Sequence, residues 1–280
     1  MKIATVDIGN SRSKIVFWDV EPSHFQKIPG LKIEGCPKEE IAPGLGGDGF
    51  LKEEVLRGFD AEAILESVVS EMPVACIVSS VRKETPELID RFREIPGLPV
   101  VNFNEEEMRR CYDLTSYKGH LGPDRLAAAI GANRLFPGKA KLVVDLGTAM
   151  TVDVVDKEGI FKGGNISLGI FGRLEALNRS TSKLPLVMDL NVVLPSFGET
   201  TEEAIAAGAV NGVTGEILYG YREAETLYGV EKLVITGGDA GMVLEKLENE
   251  IDTAYDPLLV ARGLKHHLIE HYLTGGCAQN

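Results

Sequence analysis

The chain has 280 residues, of which 44% are hydrophobic and 25% charged, with a formal net charge of −13. These values suit a globular protein of one or two domains that buries a core without staples. The acidic balance argues against nucleic acid as a partner, which would need a basic face, and no apolar stretch reaches the roughly 18 residues that cross a membrane.

Lys2 to Val6 is an apolar run that ends in Asp7-Ile8-Gly9-Asn10, and a second apolar run covers Lys14 to Val20. Strand, polar turn and strand predict a hairpin. Gly30 to Gly49 is glycine-rich and predicts a loop, which includes the Gly44-Leu45-Gly46-Gly47-Asp48-Gly49 stretch. Apolar residues near helical spacing predict a helix over Glu53 to Ser70. A strand over Val74 to Val78, closed by Ser79-Ser80, a helix over Pro86 to Phe92, a short strand over Val100 to Phe103 and an alanine-rich helix over Leu126 to Leu135 follow. Glu105-Glu106-Glu107 is expected to be a solvated face. The second half predicts strands at Lys141 to Leu146, near Ile160-Phe161 and at Lys232 to Thr236. It also predicts a long helix from about Glu202 to Leu227 and a terminal helix from Leu258 to Tyr272. His266, His267 and His271 lie on that last helix and are expected at a solvated end, since a metal site would need a further ligand. Cys36, Cys76, Cys111 and Cys277 form no CxxC pair, so their spacing suggests neither a zinc site nor a disulfide framework. Such thiols fit a reducing, cytoplasmic setting, and the opening residues show no leader-like apolar region.

One pattern occurs twice. Asp7-Ile8-Gly9-Asn10-Ser11-Arg12-Ser13 and Asp145-Leu146-Gly147-Thr148-Ala149-Met150-Thr151 both follow a β-run and both precede a second one. Each reads aspartate, aliphatic, glycine, small polar, with a hydroxyl at its end. A single duplication of this kind suggests two similar domains, with a boundary near residues 115–125 that gives domains 1–118 and 119–280. Glycine in such a turn lets the backbone approach a phosphate, and successive N–H groups can form an anion nest. The aspartate can orient a metal ion or its waters, and Arg12 or Lys14 can add charge. Two such hairpins facing each other across a cleft follow the logic of the actin, sugar-kinase and Hsp70 superfamily. In that logic Thr236-Gly237-Gly238-Asp239, after a strand, takes the place of an adenosine-binding loop. There is no GxxxxGK[ST] to suggest a P-loop. In Gly122-Pro123-Asp124-Arg125, Asp124 reads either as a helix N-terminal cap or as a catalytic base beside an arginine for a substrate carboxylate.

The chain resembles the type III pantothenate kinases. The resemblance rests on Asp7-Ile8-Gly9-Asn10-Ser11, Ser79-Ser80-Val81, Gly122-Pro123-Asp124-Arg125, Asp145-Leu146-Gly147-Thr148-Ala149, Gly163-Gly164-Asn165-Ile166, Lys183-Leu184-Pro185, Thr200-Thr201-Glu202-Glu203-Ala204-Ile205 and Thr236-Gly237-Gly238, in that order. It implies an α/β fold of duplicated actin-like (ribonuclease H-like) domains, with mixed sheets and an interdomain cleft. It also implies phosphorylation of pantothenate to 4′-phosphopantothenate by ATP, the entry step of coenzyme A synthesis, with Mg²⁺ or another divalent cation, with K⁺ or NH₄⁺, and as a homodimer. Residue by residue, it implies Asp124 as general base and Gly122, Pro123, Asp124, Arg125 and Tyr117 as pantothenate contacts. Thr201 would be a substrate contact from the partner side. Asp7, Ile8, Gly9, Asn10, Ser11, Arg12, Ser13 and Lys14 would form the phosphate loop, with Mg²⁺ at Asp7. Thr148 is implied as an ATP contact, with Gly237 and Gly238 in the adenosine loop, and Asp145 as the monovalent-cation ligand. Leu168 departs from the family, which usually carries proline there. The alternatives are another small-molecule kinase of the superfamily, or a non-catalytic nucleotide-binding regulator on the same scaffold.

Overall fold

A computed structural model of the protein describes residues 1–21, 49–190 and 195–273. Most of the predicted glycine-rich loop, together with Cys36 and Cys277, lies outside these residues. The chain forms two compact units. The first holds Met1–Leu114, Lys118–Arg134 and the segment from Val260 onward, and the second holds Thr115–Tyr117 and Leu135–Leu259.

In the first unit, strands β1 (Lys2–Ile8), β2 (Arg12–Asp19), β3 (Phe50–Arg57), β4 (Ala75–Ser80) and β5 (Val100–Asn102) form one sheet in the order β3-β2-β1-β4-β5. β1, β2 and β3 pair antiparallel, whereas β4 and β5 add in parallel. Ala4, Val6, Ile8, Ile15 and Phe17 point to one face and pack with Ile64 and Val68 of α1 (Ala61–Ser70) and Leu88 and Phe92 of α2 (Thr85–Arg93). Ile3, Val16 and Trp18 are also fully buried. Both faces are therefore covered, which is why these strands read as continuous apolar runs rather than alternating ones. Helices α3 (Glu105–Cys111), α4 (Pro123–Leu135) and α8 (Leu259–Leu268) complete this unit, and a π-helical turn over Ile269–Leu273 continues α8.

In the second unit, β6 (Lys141–Leu146), β7 (Ala149–Val155), β8 (Phe161–Leu168), β9 (Lys232–Thr236) and β10 (Thr253–Tyr255) form a sheet in the order β10-β9-β6-β7-β8. Helices α5 (Ile170–Ser180), α6 (Thr201–Tyr228) and α7 (Leu244–Glu248) follow the chain order around it. Leu142, Val144, Val152, Leu233 and Ile235 of the sheet pack with Leu174 of α5 and with Val210, Val213 and Ile217 of α6. The 28 residues of α6 are sharply delimited. Thr200 and Glu203 form a reciprocal capping box at its start, and Gly229 closes it in the left-handed conformation.

The two sheets have the same topology: three antiparallel strands in meander order, then two strands added in parallel beside the first. The internal repeat seen in the sequence is thus a repeat of fold, and the architecture is the expected α/β arrangement of duplicated domains with mixed sheets. The structure corrects three local expectations. Phe50–Arg57 is an edge strand and the helix begins only at Ala61, behind the Asp60 cap. Glu105-Glu106-Glu107 opens a helix, α3, whose Glu107 faces inward. His267 is not at a solvated end but fully buried.

Candidate functional site

The first hairpin turn is closed by the Gly9 N–H, which donates to the Arg12 carbonyl at 2.9 Å. Asp7 is half-buried at the end of β1, Asn10, Ser11 and Arg12 are exposed, and the Ile8 and Ser13 side chains are fully buried. Ser13 Oγ donates to the Gly58 carbonyl at 2.9 Å. Ile8 and Ser13 can therefore offer a ligand only their backbone. Lys14 is paired with Glu53 on the neighbouring strand at 2.9 Å, so its charge is partly met within the fold. Besides Arg12, the positive charge at the tip comes from residues the sequence pattern did not single out. Arg57 stands opposite Arg12 in the β2–β3 register, where like charges repel unless an anion joins them. Arg82 Nη1 donates to the Asn10 carbonyl at 2.9 Å while its guanidinium packs on Phe59. Arg82 directly follows the Ser79-Ser80-Val81 motif, and that adjacency was its only signal in the sequence.

The second hairpin repeats this construction. The Gly147 N–H donates to the Ala149 carbonyl at 3.0 Å, Asp145 is half-buried at the end of β6, and Thr148 is exposed. Register now links the motifs. Asp7 pairs with Ser79 across β1 and β4, and Asp145 pairs with Thr236 across β6 and β9. The Val81 N–H donates to the Ile8 carbonyl at 3.2 Å, and the Asp239 N–H donates to the Leu146 carbonyl at 3.0 Å. Ser79-Ser80-Val81 and Thr236-Gly237-Gly238-Asp239 are therefore equivalent loops, each folded over the aspartate strand of its own unit. Gly237 has φ +98°, and a Cβ there would stand 2.2 Å from the Leu146 carbonyl oxygen, so only glycine fits this approach. Asp145, Thr148, Gly237 and Gly238 are brought together at one end of the second sheet.

Asp124 is in the first turn of α4, with Pro123 ahead of it at the position that needs no N–H. Its Oδ1 accepts the Arg125 backbone N–H at 2.9 Å. The carboxylate folds back over Gly122, where a Cβ would lie 2.5 Å from Oδ1. Burial pushes this carboxyl above the ordinary carboxylate range, against the lowering effects of the Arg125 N–H and the Arg125 charge. Arg125 is itself 5% exposed, and its charge is felt by the Asp124 carboxyl.

The remaining candidates belong to the second unit. The Tyr117 ring meets Phe161 edge-on at 5.5 Å, and the neighbouring Ser116 Oγ donates to the Phe161 carbonyl at 3.0 Å. Thr201 is exposed at the start of α6 and lines a cavity of about 530 Å³ between α5 and α6, with Arg173, Leu177, Leu184 and Gly208. Gly163-Gly164-Asn165-Ile166 runs along the edge strand β8, and Leu168 ends that strand opposite Ala149.

A family model described as type III pantothenate kinase matches residues 3–223. The chain is similar to the type III pantothenate kinase of Cytophaga hutchinsonii, with 36% identity over 190 residues, 67% of this chain and 78% of that protein. It is similar to the type III pantothenate kinase of Bacteroides fragilis, with 37% identity over 206 residues, 73% of this chain and 83% of that protein. Among solved structures, a Baf family protein from Campylobacter jejuni superposes with a TM-score of 0.59 at 21% identity, covering 96% of this chain and 98% of that one. The activator of 2-hydroxyisocaproyl-CoA dehydratase from Clostridium difficile, with bound ADPNP, superposes with a TM-score of 0.54 at 13% identity, covering 100% and 99%. At these identities the two structures speak for the fold alone.

Proposed function

The chain belongs to the type III pantothenate kinase family, and on that premise we propose that it transfers the γ-phosphoryl group of ATP to the primary hydroxyl of pantothenate, with Asp124 as the general base. The observation that carries this reading is the Asp124 carboxylate itself, turned back onto the Arg125 N–H at the start of α4 and raised in proton affinity by burial. A primary alcohol gives up its proton late in a loose phosphoryl-transfer transition state. The base therefore serves mainly to orient the hydroxyl and to receive its proton as the new bond forms. A carboxylate with raised proton affinity does this better than an ordinary one. Arg125, next in the chain, would pair with the pantothenate carboxylate through its planar fork. Pro123 and Gly122 shape the same turn, and Tyr117 would supply an aromatic wall.

The first hairpin would hold the phosphates of ATP. Backbone N–H groups of residues 8–13 would serve as donors, and Arg12, Arg57 and Arg82 would meet the negative charge. The donor set also fits a divalent cation. Asp7 lies in register with Ser79, whose fully buried hydroxyl makes no hydrogen bond among the described residues, and oxygen donors of this kind suit Mg²⁺. When bound, the divalent ion would neutralise charge on the β- and γ-phosphates. In the second unit Asp145, beside Thr236, would take K⁺ or NH₄⁺, Thr148 would contact ATP, and Gly237-Gly238 would admit the adenosine. A homodimer follows from the same premise. Ala204, Gly208, Gly215 and Tyr219 leave an exposed, mostly small-residue line on α6, and Thr201 at its start would reach the partner's substrate. A cytoplasmic location suits such an enzyme.

The test is direct. Purified protein with ATP, Mg²⁺, K⁺ and pantothenate should form 4′-phosphopantothenate, identified by mass spectrometry. Turnover of an unrelated alcohol with none of pantothenate would overturn the substrate, and nucleotide binding with no turnover of any alcohol would overturn the kinase reading.

A further inference from the structure

α3 and the C-terminal helix meet in a cluster of donor side chains that the kinase reading does not use. Both belong to the first unit. The donor atoms of Cys111, His267 and His271 all lie within 4.8 Å of one another. Glu107 stands among them. His267 Nε2 is 2.9 Å from Glu107 Oε1, and Cys111 Sγ lies 3.3 Å from the same oxygen. His267 is fully buried, while Cys111 and His271 are half-buried. A soft thiol, two imidazoles and a carboxylate thus converge from elements 160 positions apart in sequence.

We propose that Cys111, His267, His271 and Glu107 form a binding site for a divalent transition metal of the zinc class. Sulfur and imidazole donors select zinc over the hard, oxygen-seeking Mg²⁺ and Ca²⁺. One thiolate, two imidazoles and one carboxylate complete the tetrahedron that closed zinc sites adopt. In such a tetrahedron neighbouring donors stand roughly 3.3–3.6 Å apart. The cluster therefore needs to close by about 1 Å, within the reach of side-chain rotation for Cys111 and His271. Cys111 Sγ, His267 Nε2 and Glu107 Oε1 already share one small space, where a metal would replace the protons between them.

The surrounding shell is built as well. The Tyr112 hydroxyl lies 2.9 Å from His267 Nδ1. With the metal on Nε2, the ring proton sits on Nδ1 and is donated to Tyr112 Oη, which fixes the tautomer. Arg110 donates to Glu107 at 2.8 Å and stacks on Tyr272, which orients the carboxylate and offsets its charge. Binding releases one proton, that of the Cys111 thiol, and no electrons move. The helix this site would clamp matters to the fold: α8 packs Gly263 so closely on α4 that a Cβ there would lie 1.8 Å from the Ala127 carbonyl oxygen. α4 is the helix that carries Asp124.

The test uses the full chain without a purification tag. Titration of the metal-free protein with Zn²⁺ should show one equivalent bound with a Kd of about 10⁻⁷ M or tighter. A hundredfold excess over Kd should raise Tm by about 5 °C. Co²⁺ in place of Zn²⁺ should give tetrahedral d–d bands and a thiolate-to-metal charge-transfer band. Cys111→Ser should abolish the charge-transfer band, and Cys111→Ser and His271→Asn should each weaken Zn²⁺ binding by more than about tenfold. Circular dichroism should show both variants folded, and His271→Asn serves if Cys111→Ser does not fold. No saturable zinc binding by the wild type, a cobalt spectrum without a thiolate band, or wild-type affinity in a folded variant would each overturn the site.

Discussion

Substituting Gly122 with alanine tests whether the position of the Asp124 carboxylate, rather than its mere presence, sets the rate. A Cβ at Gly122 would stand 2.5 Å from Asp124 Oδ1, whereas ordinary contact begins near 3.4 Å. The carboxylate must therefore retreat by about 0.9 Å. The atom that moves is the free end of a side chain, so the fold should tolerate the change. The Arg125 N–H that holds Oδ1 at 2.9 Å would be stretched or released. A misplacement of about 1 Å at a reacting group costs roughly 10²-fold, or about 2.7 kcal/mol at about 1.36 kcal/mol per factor of ten. Gly122→Ala should thus lower kcat by roughly 10²-fold while ATP binding and Tm stay near wild type. Steady-state phosphopantothenate formation gives kcat, equilibrium titration gives nucleotide affinity, and thermal melting gives Tm. Wild-type kcat in a stably folded Gly122→Ala protein would refute the reasoning, because the carboxylate would then be free to move without consequence.

Asp124→Asn should keep nucleotide binding and lose at least roughly 10²-fold in kcat. Because burial raises the folded-state pKa of Asp124, ionisation costs native stability as pH rises through that pKa. The variant should therefore melt higher than wild type at neutral pH, with the difference vanishing below the ordinary carboxylate range; a lower Tm than wild type at neutral pH would contradict this. The acid limb of the wild-type kcat profile should likewise stand above the ordinary carboxylate range. Asp145→Ala should raise the K⁺ or NH₄⁺ requirement or abolish the response, and wild-type activation by K⁺ in this variant would exclude Asp145 as the ligand. Gly208→Arg should weaken dimerisation and activity together, since a Cβ at Gly208 meets nothing among the described residues within 4 Å; sedimentation that shows an active monomer would sink the shared site.

What the sequence revealed depended on how local the signal was. The two hairpins were legible because chemistry and hydrophobic pattern repeat together, and β6 spans the residues that pattern marks. β3 was misread because Glu53, Val55 and Leu56 fit a helical period as well as an edge strand, and only pairing with β2 decides between them. Asp124 was legible as a residue, but its folded-back carboxylate over Gly122 was not, since side-chain rotation leaves no trace in spacing. Ser79 and Thr236 looked unrelated until sheet order placed them beside Asp7 and Asp145. Glu107 and His267 could not be connected at all, because nothing local relates residues 160 positions apart.

On the proposed reading, the two equivalent hairpins serve two tasks. Both copies keep the aspartate at the strand end, the glycine turn closed by a single backbone bond, and a loop from the parallel neighbour anchored on the following residue's carbonyl. They differ in what that loop presents. In the first unit it presents Arg82, which reaches the hairpin tip at Asn10, among Arg12 and Arg57. Charge of this kind suits phosphate and carries no shape for a base. In the second unit it presents Gly237 and Gly238, with positive φ at Gly237 and no side chain. Bare backbone suits the close approach of a flat ring and brings no charge for phosphate. On the proposed reading, the exchange of Arg82 for a glycine pair assigns phosphate to the first loop and adenosine to the second. Transplanting charge should break that division: Gly238→Arg, at an exposed position, should raise KM for ATP by roughly tenfold or more, about 1.4 kcal/mol of lost binding. Arg82→Gly should instead weaken ATP far more than adenosine in equilibrium titrations. Equal losses for ATP and adenosine in Arg82→Gly would show that the loop does not act through phosphate, and the division of labour would fall.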